Sequence, residues 1–228
     1  MITIDYSEAT NLKEKLNEHG LIIIKNAELS IKHFEEISNS LGKPLITDKH
    51  VINENRTIQK LSNDGLFGND DVDWHHDWSY GRGNYFGTIL YNVKNAHLSP
   101  TWFCDMSKVP DELYFKYPFA EGEYYPPQHL HNNCFTEKQL RILEKQKVRR
   151  KFQFKHHITG ERILYCSLGT LRNHDIYDTK PIKDWIEENS YKHEWEPNEI
   201  LIWDNLKMIH KRSAFKGDRL LWRTQFTI

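Results

Sequence analysis

The chain has 228 residues, 38% hydrophobic and 13% aromatic, with 31 basic residues against 32 acidic ones and a formal charge of −1. That length accommodates one sizeable core and predicts a single domain over residues 1–228. The near-zero charge excludes a global field that recruits nucleic acid or an anionic membrane, and the aromatic content excludes a disordered chain.

Three widely spaced cysteines, Cys104, Cys134 and Cys166, contain no C-x-x-C pair and argue against a disulfide framework or a structural zinc. No basic-then-apolar signal opens the chain, and its longest early apolar run, Leu21–Ile24, is far too short to cross a bilayer. The expectation is a soluble cytoplasmic protein with no membrane partner. Homo-oligomerisation is left open.

In chain order, Ile2–Asp5 reads as a strand and Ser7 as the opening of a helix that carries Leu12 and Leu16 and stops at Gly20. Leu21–Ile24 is a strand, Ser30 to Leu41 an amphipathic helix with Ile31, Phe34, Ile37 and Leu41 at helical spacing, and Thr47–Asn55 a polar loop. Tyr85–Val93 and Thr101–Met106 are strands separated by Pro100, Pro110–Tyr117 is a short helix, and Glu121–Asn133 is a loop. Lys138–Arg150 reads as helical, Lys151–Phe154 and Glu161–Ser167 as strands joined by a turn at His157–Gly160, and Lys180–Tyr191 as a helix. Trp195–Glu199 is a turn feeding the strand Ile200–Trp203, and Leu206–Ile228 alternates polar and apolar residues. Many short strands with helices gathered toward the N-terminal side predict a mainly β fold with flanking helices around a double-sheet jelly roll.

Asp71–Tyr80, written DVDWHHDWSY, holds the densest chemistry. In an extended backbone His75 and Asp77 project from one face while His76 turns away. His210, following the strand Ile200–Trp203 across Asp204 and Asn205, is the best third ligand, far enough in sequence to exclude a local zinc-finger spacing. Two neutral imidazoles and one carboxylate leave coordination positions open, which suits non-haem Fe(II).

WHHD at 74–77, WDN at 203–205, His210 and RLLWR at 219–223 occur in this order, with WEPNEILIWD at 195–204 and HITGERILY at 157–165 between them. Together they resemble the TauD/TfdA family, the taurine dioxygenase-like enzymes that use Fe(II) and 2-oxoglutarate. The resemblance implies a cupin-like double-stranded β-helix core, iron on His75, Asp77 and His210, and O2 as the oxidant. It places Thr101 and Arg219 on the cosubstrate's distal carboxylate, where a guanidinium forks onto a carboxylate bidentately and keeps its charge. Arg223 matches a position that contacts the primary substrate; in a strand it lies about 13 Å from Arg219, so each serves its own ligand. Asp71 and Trp78 stand at substrate-facing positions and differ from those of the taurine enzyme, which points away from taurine itself. Asp71 opposite Arg223 suits a zwitterion, although Asp71 also reads as a solvated loop carboxylate. Asn198 replaces the family's turn glycine, and asparagine tolerates the left-handed backbone such a turn needs.

The implied activity is hydroxylation, or desaturation, of a small polar metabolite such as an amino acid or amine-acid, with release of succinate and CO2. Two other functions use the same ligand set: a zinc hydrolase, which leaves Thr101 and Arg219 unexplained, and a binding module without turnover. The basic, aromatic-interleaved stretch Lys145–His157 has the composition of a phosphate-backbone binder, but a solvated helix end running into a strand accounts for it equally well, so no nucleic-acid partner is expected. His76, His129, His131 and His156 read as hydrogen-bonded or surface side chains, and Asp204 or Asn205 as groups that orient a ligand from behind.

Overall fold

Strand β2 (Leu21–Lys25) is apolar at four successive positions, and all four are buried. A strand of this kind lies in a sheet covered on both faces. Leu21 and Ile23 pack with Leu90, Leu201, Trp203 and Leu221, whereas Ile22 and Ile24 pack with Ile89, Ile200, Ile202, Leu16 and Phe34. The computed structural model describes residues 1–65, 67–81, 86–126, 137–145, 148–176 and 178–227.

The sheet containing β2 runs β1 (Ile2–Asp5), β2, β14 (Ile200–Asp204), β6 (Phe86–Lys94), β16 (Leu220–Thr227) and β3 (Lys43–Pro44), with β4 (Gln59–Ser62) also paired to β16. Its outer face is covered by α1 (Leu12–His19) and α2 (Ile31–Leu41), which contribute Leu12, Leu16, Phe34 and Leu41 to one cluster. A second sheet, β13 (Tyr191–His193), β7 (Thr101–Asp105), β15 (Met208–Arg212) and β5 (Val72–His75), lies against the inner face, and its Phe103 and Met208 join Trp203 and Leu221. Two antiparallel-rich sheets closing on a shared core make this a mainly β fold with flanking helices, a double-stranded β-helix.

The far side of the second sheet is roofed by α3 (Asp111–Tyr114), α5 (Lys180–Glu188) and two small sheets. One comprises β12 (Leu171–His174), β8 (Glu121–Tyr124) and β9 (Val148–Lys151), and the other β10 (Gln153–Lys155) with β11 (Arg162–Leu164); α4 (Glu137–Glu144) lies between β8 and β9 in the chain. Trp74, Met106, Phe152, Ile163, Ile182 and Ile209 form its core. Cys104 and Cys166 are buried and free. Among the described residues no helix is long and apolar enough to cross a membrane.

Several expected elements differ. Ser7 does not open α1: Asp5 caps a separate turn at Tyr6–Glu8, accepting from the Ser7 N–H at 3.0 Å, and α1 begins after a left-handed Asn11. Ser30 does cap α2, accepting from His33 N, and Gly20 ends α1 with φ +71°. The expected helix Lys138–Arg150 stops at Glu144, because Val148–Lys151 pairs with β8, where Arg149 meets Glu121 at 2.6 Å. Within the expected loop Glu121–Asn133, Glu121–Tyr124 is strand, and residues 127–133 lie outside the described residues. The expected helix to Tyr191 ends at Glu188, and Tyr191 starts β13. Asn198 adopts φ +56°, as its place in the turn requires, and its carbonyl accepts from Ala27 N.

Gly87 faces Phe226 across the β6–β16 pair, and any Cβ there falls inside the fully buried Phe226 ring. Gly87→Ala is expected to lower unfolding stability by about 1–3 kcal/mol, measured by urea denaturation, with part of the loss restored by Phe226→Leu.

Candidate metal centre

His75 ends β5 and His210 sits in the middle of β15, and in the antiparallel register they are direct cross-strand partners. Side chains of such partners project from the same face, and the two rings stand 4.2 Å apart between centroids. Asp77 arrives differently from the expectation. The strand stops at His75, and Asp77 lies in the following turn, so its convergence with His75 does not come from extended-strand alternation. Asn205 fixes that turn by a reciprocal pair: Asp77 N donates to Asn205 Oδ1 and Asn205 Nδ2 donates to Asp77 O, both at 2.8 Å. His76 turns away as expected, its Nδ1 2.7 Å from the Asn205 carbonyl and its ring stacked on Tyr165.

Ligand atoms of His75, Asp77 and His210 all lie within 4.8 Å of one another. Asp77 Oδ1 is 3.6 Å from His75 Nε2 and 3.9 Å from His210 Nε2. His75 Nδ1 is 2.8 Å from the Asp73 carbonyl and His210 Nδ1 is 3.4 Å from that of Met208. A carbonyl only accepts, so each Nδ1 carries the proton and each Nε2 presents its lone pair to the shared point. Burial alone raises the Asp77 carboxyl, but the Arg223 guanidinium beside it outweighs burial and holds the group well below the usual carboxylate range. Burial, with His75 beside it, pushes His210 well below the usual imidazole value. Two neutral imidazoles and one ionised carboxylate fit a divalent first-row metal.

The cluster opens into a cavity lined by Thr101, Arg219 and Arg223 as well, with Phe67, Leu90 and Phe215 among its apolar walls. Thr101 Oγ1 accepts from the Trp195 indole at 3.1 Å. Arg219 is only 3% exposed, donates from Nε to the Ala96 carbonyl at 3.4 Å, and stacks over Phe215. Among the described residues no carboxylate lies within ion-pair distance of Arg219. Burial, with Arg212 nearby, lowers its pKa to about 9. A buried cation with no counter-ion is a costly arrangement that an anionic ligand relieves.

Arg223 donates from Nη1 to Gln59 Oε1 at 2.8 Å and pairs through Nη2 with Asp77 Oδ2 at 2.9 Å. Asp71 is exposed and accepts from Ala214 N, and Trp78 is 42% exposed with its indole donating to Gln225; neither lines the cavity. Asn205 orients the site from behind, and Asp204 meets His156 Nε2 at 2.9 Å. Thr88 and Gln225, which donate to Asp77 Oδ2 at 2.9 and 3.0 Å, escaped the sequence reading. Gln225 stands two residues after Arg223 on one strand, and that alternation was the signal for it. Within the basic stretch, Arg149 pairs with Glu121 and Asp175, and Arg150 donates to the Ser79 and Gly81 carbonyls. His129 and His131 lie outside the described residues.

The family model "Taurine catabolism dioxygenase TauD, TfdA family" matches residues 3–225. No curated protein matches the chain. Among solved structures, a taurine dioxygenase from Burkholderia xenovorans is similar with TM-score 0.70 and 17% identity, over 98% of this chain and 82% of that one. The structure of AAD-2 in complex with Mn(II) and N-oxalylglycine is similar with TM-score 0.74 and 15% identity, over 96% of this chain and 88% of that one.

Burial lowers His76 to about 3, and His210 is depressed as well, so both stay neutral in the folded protein where an unfolded histidine, near 6.5, takes up a proton. The unfolded state then binds more protons, and stability falls as pH drops below about 6.5, by about 1.4 kcal/mol per proton per pH unit. The Tm of chelator-treated protein is expected to fall from about pH 6.5 to 4.5. His76→Asn, which keeps a donor toward the Asn205 carbonyl, should reduce proton uptake on unfolding by about one.

Proposed function

This chain belongs to the TauD, TfdA family and, as a TauD-like dioxygenase, uses Fe(II) and 2-oxoglutarate; from that premise we propose that it oxidises a C–H bond of a small polar metabolite bearing an acid group, such as an amino acid or amine-acid. The observation that carries the reading is the buried Arg219, which has no counter-ion among the described residues and lines the same cavity as the His75, Asp77 and His210 cluster. That combination suits a metal chelated by a diacid whose far carboxylate needs a cation.

In this reading His75, Asp77 and His210 hold the iron, each through one atom. Arg219 forks onto the distal carboxylate of 2-oxoglutarate. Thr101 takes the Trp195 N–H on its oxygen, which leaves its own hydroxyl proton to donate to the same carboxylate. Bound iron and cosubstrate together supply the oxidising power that converts O2, 2-oxoglutarate and substrate into oxidised product, succinate and CO2. The chain's own residues bind, orient and exclude water. Phe67, Leu90 and Phe215 give the carbon skeleton an apolar wall near the metal point. Arg223 steadies Asp77 and, with two of its donors so engaged, retains N–H groups for a substrate acid. Apart from Asp77, the charged lining residues among those described are Lys211, Arg212, Arg219 and Arg223, a balance that favours anionic ligands.

Purified protein given Fe(II) and 2-oxoglutarate is expected to form succinate only with oxygen present, faster when a screen of amino acids, amine-acids, sulfonates and carboxylates includes the substrate. A hydrolysis indifferent to oxygen removal would overturn the reading in favour of zinc chemistry. Asp77→Ala should abolish succinate formation with the fold retained by circular dichroism. Arg219→Lys loses the fork and should weaken 2-oxoglutarate binding by roughly tenfold or more in a calorimetric titration.

A further inference from the structure

The two oxygens of Asp77 have unlike surroundings. Oδ1 faces His75 and His210, whereas Oδ2 lies 2.9 Å from Thr88 Oγ1, 3.0 Å from Gln225 Nε2 and 2.9 Å from Arg223 Nη2. The polarity of these bonds is dictated from outside the site. An indole N–H only donates, and that of Trp78 reaches Gln225 Oε1 at 2.8 Å, so the Gln225 NH2 must face inward. That NH2 serves both Asp77 Oδ2 and, at 3.3 Å, Thr88 Oγ1. Thr88, accepting there, turns its own proton onto Oδ2. Every bond in the chain from Trp78 to Asp77 therefore runs in one direction.

Trp78 follows Asp77 directly and sits at φ +55°, a left-handed conformation that a bulky residue rarely adopts. Such a backbone persists where its surroundings hold it, and here the indole bond to Gln225 and the ring contact with Tyr80 do so. Yet the side chain is 42% exposed and does not line the cavity, so burial in the core does not explain its placement.

We propose that Trp78 and Gln225 are positioning residues: the Trp78 indole sets the Gln225 amide, and the amide, with Thr88 and Arg223, reserves Oδ2 so that Asp77 binds iron through Oδ1 alone. A carboxylate that swung round to bind through both oxygens would consume a coordination position needed by the cosubstrate. The inference rests on the reading of Asp77 as an iron ligand.

Trp78→Phe keeps the ring and removes the N–H, Gln225→Leu keeps the volume and removes the amide, and the double variant tests whether the two act in series. The measurements are anaerobic Fe(II) affinity of chelator-treated protein and the visible charge-transfer band of its Fe(II)–2-oxoglutarate complex, with Tm as the fold control. Gln225→Leu is expected to weaken Fe(II) binding about tenfold and Trp78→Phe about threefold, with the band displaced in the same direction in both. The double variant should match Gln225→Leu, because the indole acts only through the amide. Trp78→Phe identical to the wild type in both measurements, or losses that multiply in the double variant, would overturn the proposal. Should Gln225→Leu fail to fold, the half-exposed Trp78→Phe decides alone. Asp77→Ala binding Fe(II) normally would instead remove the underlying ligand reading, whereas loss in Asp77→Ala with wild-type affinity in Gln225→Leu would remove only the positioning role.

Discussion

The pairing of β5 with β15 places His75 opposite His210, and the chemistry of the cavity depends on that register. Side chains alternate faces along a strand, so a slip of one residue sends His210 to the opposite face and dissolves the cluster. Several contacts oppose such a slip. β15 is held on its other edge by β7, where His210 pairs with Phe103, and the His210 ring meets the edge of Trp203 at 4.9 Å. An irregularity between His210 and Arg212 follows at once, and beyond it the chain leaves the sheet for Phe215 and Arg219.

Charge is distributed unevenly around this point, and the unevenness has a chemical sense. Asp77 is oversupplied: Oδ2 has three donors while Oδ1 faces the two imidazoles. Arg219 is undersupplied: among the described residues one backbone carbonyl accepts from a guanidinium almost wholly out of water. A fold selected for stability alone has no use for the second arrangement, since an unpaired buried cation opposes folding. In the proposed reading it acquires a use, because a dicarboxylate would span from the metal point to that cation.

Rigidity for these placements comes from the main sheet. β14 and β16 flank β6, and the helices α1 and α2 close the outer face, so Arg223 and Gln225 are projected from a strand packed on both faces, and Arg219 stands immediately before that strand begins. Asn205, in the turn joining β14 to β15, ties that sheet to the Asp77 turn through two hydrogen bonds. One asparagine thus couples the strand pair that supplies His210 to the turn that supplies Asp77, segments far apart in the chain.

Much of this was legible from residue order. The apolar run at Leu21–Ile24, the Ser30 cap, the Gly20 stop and the tolerance of Asn198 for left-handed backbone are local matters, set by side-chain volume, capping and φ, and all hold in the structure. The joint order of WHHD, WDN, His210 and RLLWR points to the fold and to His75, Asp77 and His210, which the structure brings together, because the chemistry dictates residue types. Short strands such as Gln59–Ser62, Leu171–His174 and Tyr191–His193 went unread, since each is defined by its partner rather than its own pattern. Residues 148–150 likewise pattern as the end of a helix, although pairing with Glu121–Tyr124 makes Val148–Lys151 a strand. Only the folded chain decided that Asp77 converges through a turn, that Arg223 grips its outer oxygen, and that Trp78 reaches it by way of Gln225. These depend on distances between residues remote in sequence, which no local propensity encodes.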